Sequence, residues 1–120
     1  MRYLVVIIGI IFLSSSSTAF GINYFWVAPG ASNWNNSANW GTVAGGPGGA
    51  GIPGAADVAN FTGSFNTSCS IDAAVNVQGI LISGYSGTIS QNTNPITIGA
   101  AGFTQSSGNF AGGSGNITIN

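Results

Sequence analysis

Few residues in this chain carry chemistry. The acids are Asp57 and Asp72, the base is Arg2, the thiol is Cys69, and there is no His. Glycoside hydrolysis needs two carboxyls flanking one bond. Asp57 and Asp72 are the sole pair, out of step with the strand repeat described below, so they do not simply stack. Triad chemistry lacks its His. Two carboxylates with backbone carbonyls make a thin set for Ca²⁺, which takes 6–8 oxygens. The plainer reading has both Asp side chains capping turns. No catalytic residue, metal or cofactor is expected.

Cys69 lies between Ser68 and Ser70, with no cation nearby in sequence to lower its pKa. It reads as a small buried core residue. Gly46-Pro47-Gly48-Gly49-Ala50-Gly51 matches G-x-G-x-x-G. That fingerprint needs a strand before it and a helix after it. Here a Pro sits inside, Pro53 follows, and no helical periodicity appears, so the segment reads as a loop.

The aromatic candidates are Trp26, Trp34 and Trp40. They offer two roles. An exposed platform would stack on sugar rings, with Trp34 and Trp40 as the ligand-binding residues. A buried cluster would instead cap the start of the fold. The cap is favoured, because buried aromatics dominate core energetics and the first layer of a stacked fold must be covered.

Charge excludes several partners. Met1-Arg2, the apolar run Leu4 to Leu13, and Ser14-Ser15-Ser16-Ser17-Thr18-Ala19 follow the grammar of a secretory signal peptide. The run is about half the roughly 20 residues a spanning helix needs. Cleavage is expected after Ala19 or Gly21, giving a secreted or cell-surface protein. Arg2 leaves with the leader, and the mature chain then holds no basic side chain. Nucleic-acid binding rests on cations against phosphates, so it is excluded. Docking on anionic lipid fails for the same reason, and no membrane association is expected after cleavage. The sequons at Asn35, Asn60, Asn66 and Asn116 matter only in a host that glycosylates them.

The remaining residues must build the scaffold. The mature chain, about 100 residues, suits one domain. Gly, Ser, Thr and Asn abound, yet β-branched residues recur, which favours ordered β structure with tight turns. Residues 21–56 form an aromatic N-terminal cap and a Gly/Pro-rich loop; residues 57–120 form the repetitive strands.

Val75 and Val77 flank Asn76; 21 residues on, Ile96 and Ile98 flank Thr97; after 21 more, Ile117 and Ile119 flank Thr118. The same offset carries Ser86-Gly87-Thr88-Ile89 onto Ser107-Gly108-Asn109-Phe110, Ile82 onto Phe103 and Ile80 onto Ala101. Fixed-period self-similarity is the signature of a solenoid. The sequence predicts an all-β chain, a parallel β-helix of about 21 residues per coil. Inward Val75, Ile96 and Ile117 stack, as do Ile89 and Phe110. A β-sandwich is the alternative; it shares the alternation and turn spacing but does not predict a constant offset.

Tyr24-Phe25-Trp26-Val27, Asn33-Trp34, Asn39-Trp40, the Gly-rich loop with Pro53, and Asp57-Val58-Ala59-Asn60-Phe61 together resemble the N-terminal start of large bacterial surface or secreted β-helix proteins, including those with autotransporter-associated β-strand repeats. The resemblance spans roughly residues 24–120. It implies a right-handed parallel β-helix, an extracellular or cell-surface location, and roles such as adhesion. No catalytic motif comes with it. Such proteins usually run for hundreds of residues, and no polar cap follows Ile119. The expectation is the N-terminal fragment of a longer protein; an open end that docks further subunits is the alternative.

The expected function is therefore that of a structural or adhesive exported β-solenoid. Surface glycans, or self-association through the open end, are the expected partners. A carbohydrate-binding module, or the scaffold of a polysaccharide-acting enzyme with its catalytic part beyond residue 120, is the alternative.

Overall fold

The computed structural model describes residues 21–120. The expected signal peptide lies outside the described residues. The chain folds as an all-β protein whose sheets do not close on themselves. Its only helical feature among the described residues is one 3₁₀ turn, Ser37–Asn39, capped by the Asn36 side chain accepting from Ala38 N.

Ten strands follow in chain order: β1 Asn23–Trp26, β2 Ser32–Asn33, β3 Trp40–Gly41, β4 Val58–Phe61, β5 Cys69–Ser70, β6 Val75–Ile82, β7 Thr88–Ser90, β8 Ile96–Gln105, β9 Asn109–Ala111 and β10 Ile117–Ile119. One sheet has the order β10-β8-β6-β4-β1-β3, the other β2-β5-β7-β9. Every pairing is parallel except β1 with β3. Residues from both sheets contribute to a single apolar core. Alternation drives this arrangement. In β6, Val75, Val77, Ile80 and Ile82 turn inward while Asn76 and Leu81 face out.

The register tests the sequence repeat strand by strand. Val75, Ile96 and Ile117 are aligned, as are Val77, Ile98 and Ile119. Thr88 aligns with Asn109 and Ile89 with Phe110. The offset of 21 therefore holds at these positions. It also holds one strand earlier than the sequence repeat was traced, where Val58, Ala59 and Phe61 face Gly79, Ile80 and Ile82.

The expected pairs Ile82–Phe103 and Ile80–Ala101 are corrected. Phe103 lies beside Ile80, and Ile82 beside Gln105. A bulge between Val77 and Gly79 gives β8 two extra residues, moving the offset to 23. The physical reason is local. Gln78 Oε1 accepts from Ala100 N at 3.2 Å, so the bulged backbone has a partner. Gly102 turns at φ +77°, a conformation glycine adopts without strain. A Cβ on Gly79 would sit 2.7 Å from that of Ala101, so the bulge also needs glycine opposite it.

The N-terminal block supplies strands to both sheets. β1 lies beside β4 at an offset of 35, with Asn23 facing Val58. β2 lies beside β5 at an offset of 37, with Ser32 facing Cys69. The extra residues form β3 and the Gly/Pro-rich loop, which close this end of the core. Ala50 N donates to Trp40 O and Gly49 N to Ser37 O. The G-x-G-x-x-G match is thus a loop that lies against β3, as expected. A Cβ on Gly48 would strike the carbonyl of Ala38.

Candidate functional site

The sequence candidates divide between the core and the turns. Trp34 is 3% exposed and Trp40 0%. Trp40 Nε1 donates to Trp34 O at 2.8 Å, which ties the two residues together. Their rings meet edge to face with centroids 4.8 Å apart, and Trp26 meets Trp40 at 5.3 Å. Phe61 completes the cluster, 5.7 Å from Trp26 and 5.5 Å from Trp40. Trp26 Nε1 donates to Thr67 Oγ1 at 2.9 Å. Neither Trp34 nor Trp40 presents a free ring face on which a sugar could stack.

The two carboxylates are used separately. Asp57 accepts from Ile22 N at 2.9 Å and from Gly54 N at 2.8 Å, so one oxygen holds the backbone leading into β1 and the other the turn leading into β4. Asp72 Oδ1 accepts from Asn35 N at 2.9 Å, tying the end of β5 to the segment after β2. No group of three His, Cys, Asp or Glu suited to a metal occurs among the described residues.

Cys69 points into the core and is 1% exposed. Burial pushes its thiol pKa up, and the Asp72 charge adds to the effect. A thiolate is the nucleophile in cysteine chemistry, and this environment opposes it. Tyr85 is likewise buried, with its hydroxyl pKa raised by burial and then by Cys69. Its hydroxyl donates to Thr67 O at 2.6 Å.

A polar corner went unrecognised in the sequence. Gln91 is 1% exposed, yet its amide is satisfied. Nε2 donates to Gly115 O at 2.8 Å and Asn94 O at 3.1 Å, and Oε1 accepts from Gly113 N at 2.9 Å. Asn92 adopts φ 62°. Its Nδ2 donates to Ser70 Oγ and Ile71 O, and Asn94 Nδ2 also reaches Ile71 O at 2.7 Å. These amides tie one turn to the turns on either side of it. The available signal was Asn92-Thr93-Asn94-Pro95, since Asn tolerates the left-handed region and bonds nearby backbone.

What remains open to solvent are two kinds of surface. The first is neutral and polar: outward rows such as Asn76, Thr97 and Thr118 on one sheet, and Ser70 and Ser90 on the other. No ionisable side chain other than tyrosine follows Asp72. The second is apolar. At the β10 end, Ile80, Ile98, Phe103, Phe110, Ile117 and Ile119 line an open hollow of about 200 Å³. Ile117 is 45% exposed and Ile119 57%. This apolar end and the neutral rows are the candidate site. Comparison with known protein families, curated proteins and solved structures finds nothing that matches this chain.

Proposed function

We propose that the chain is an exported β-solenoid of the right-handed parallel β-helix type, with a structural or adhesive role outside the cell. The observation that carries this reading is the in-register parallel stacking of neutral outward rows on strands that hold no ionisable side chain after Asp72. Rows of Asn, Thr and Ser repeat at the spacing of neighbouring strands, about 4.8 Å. Such a surface suits close packing against neutral polymers, because nothing on it repels or attracts ions at a distance. Catalysis finds no support, since the carboxylates hold backbone and the thiol is buried.

The leader read at residues 1–20 supports export. Expression in a bacterial host followed by mass spectrometry of the exported chain tests it. A new N-terminus after Ala19 or Gly21 is expected; retention of Arg2 in exported protein contradicts it. Adhesion is tested by binding of the purified chain to glycan arrays, to bacterial cells and to itself. Binding in at least one assay, insensitive to salt because no charge drives it, is expected. Absence of binding in all three rejects the adhesive role.

A further inference from the structure

Ile22 sits where the chain enters the fold, and both of its backbone groups are used. Its carbonyl accepts from Val58 N at 3.1 Å, and its N–H donates to Asp57 Oδ1 at 2.9 Å. β1 begins at the next residue, Asn23, which faces Val58. Asp57 is itself fixed, because its second oxygen accepts from Gly54 N at 2.8 Å. Gly21 has no room for a side chain. A Cβ there would strike the Ala56 carbonyl and lie 2.7 Å from Asp57 Oδ1.

We infer that Gly21–Ile22 is the bond cut on export, and that the α-amino group so released forms an ion pair with Asp57. The inference rests on the leader reading; it adds a choice between the two cleavage sites and a role for the new terminus. The cut is a hydrolysis by the peptidase of the exporting cell. The hydroxyl of water adds to the Gly21 carbonyl carbon, the C–N bond breaks, and Ile22 N takes the electron pair and a proton. Gly21 leaves with the leader as a carboxylate, and at neutral pH the amine takes up a further proton to become an ammonium. A neutral donor to Asp57 is thereby replaced by a charged one, and hydrogen bonds between ions are the shorter and stronger.

Three observations select this bond. The first is placement. Ile22 N already lies on the carboxylate, and the Val58 N bond and the β1–β4 pairing hold Ile22 without any help from residue 21. The second is charge. Without Arg2 the chain has no Lys, Arg or His, so the new ammonium is the one cation in it, and it falls on one of two acidic side chains. A cut after Ala19 would leave Asp57 on a neutral amide. The third is residue size. Ala19 and Gly21 fit the small positions a signal peptidase reads, and the Ala56 carbonyl demands glycine at 21 independently.

The other ionisable side chains are placed elsewhere. Asp72 is held by Asn35 N at the end of β5, and Cys69 and Tyr85 are buried in the core. The Tyr24 hydroxyl lies beside Gly51.

The N-terminal residue of the exported chain is the first test. Ile22 is expected. Phe20 in its place overturns the inference while export stands, and retained Arg2 rejects the leader and the pair together. The second test uses the absence of lysine: the α-amino group is the sole primary amine for an acylating reagent. Its acylation rate is followed against pH in the Ile22-start chain and in the same chain carrying Asp57→Asn. An unpaired α-amino group titrates at about 7.7–8.0. The wild-type midpoint should lie higher by about half a pH unit, a factor of about three in proton affinity for a pair partly in solvent. The D57N midpoint should return to the ordinary range, with the near-UV signal of the buried tryptophans unchanged. Where D57N does not fold, wild type unfolded in urea supplies the reference and should show the same fall. A wild-type midpoint equal to either reference overturns the ion pair.

Discussion

The two ends of this molecule treat the same problem differently. At the β1 end, a two-residue antiparallel strand, a 3₁₀ turn and the Gly/Pro-rich loop cover the core, and three indoles with Phe61 fill it. At the β10 end, two isoleucines remain half in solvent above an apolar hollow. Stacked parallel strands need a cap wherever stacking stops. The comparison shows what a cap requires here. The cap combines buried indoles with an antiparallel strand, β3, which the Gly/Pro-rich loop holds in turn through Ala50 N donating to Trp40 O. Among the described residues, the β10 end has neither feature.

Breaking the closed end should have the largest effect. Trp40→Ala removes a fully buried indole that contacts Trp26, Trp34 and Phe61. Truncation of a core aromatic costs about 3–5 kcal/mol, and denaturant melts should register a loss of that size. Gln91→Ala comes next, in the middle of the stack. It leaves Gly113 N and Gly115 O without their side-chain partner, at about 1–3 kcal/mol by the same measurement.

Alkaline pH acts on the core between the ends. The Cys69 thiol pKa is raised in the folded state from an ordinary value of 9.0, by burial first and the Asp72 charge second. The folded chain therefore binds more protons than the unfolded chain above about pH 9. Stability is full below that pH and falls as pH rises, by about 1.4 kcal/mol per unit while only the unfolded thiol ionises. Cys69→Ala should remove the part that sets in near pH 9. Tyr85, whose hydroxyl is raised from 10.0 by burial first and Cys69 second, should keep the part due to burial, which begins a unit higher.

Smaller effects belong to the open side. Gly102→Ala meets no nearby atom but forces φ +77° on an alanine, costing about 1 kcal/mol. Ile119→Asn should change stability by less than about 0.5 kcal/mol, because the side chain is already half in solvent. If it cost as much as Trp40→Ala, the two ends would not differ as described.

Much of the stacking was legible because side-chain alternation has period two and the offset returns to 21 in strands β6, β8 and β10. Val75, Ile96 and Ile117 show it, as do Ile89 and Phe110. The bulge was hidden for a physical reason: two residues are added in β8 and two are lost from the following turn, so the offset returns to 21 by Asn109. The first strands were hidden because the capping elements interrupt the period between β2 and β4. In β4, outward Asn60 is buried by side-chain bonds to Asn23 and Tyr24, which blurs the alternation. The site was legible mostly by subtraction: two acids, no mature base and one thiol left little chemistry to place. The sequence could not assign the tryptophans, because a cap and a sugar platform demand the same residue type and differ only in exposure.

The central claim is that from β4 onward strands about 21 residues apart lie side by side and parallel, with β5 and β7 offset by 20 and a two-residue shift in β8. Nuclear Overhauser contacts between backbone protons test it most directly. The account predicts parallel-strand contacts linking Val77 to Ile98 and Ile98 to Ile119, together with Ile80 to Phe103 across the bulge. An antiparallel pattern among these strands, or Phe103 paired with Ile82, would contradict it.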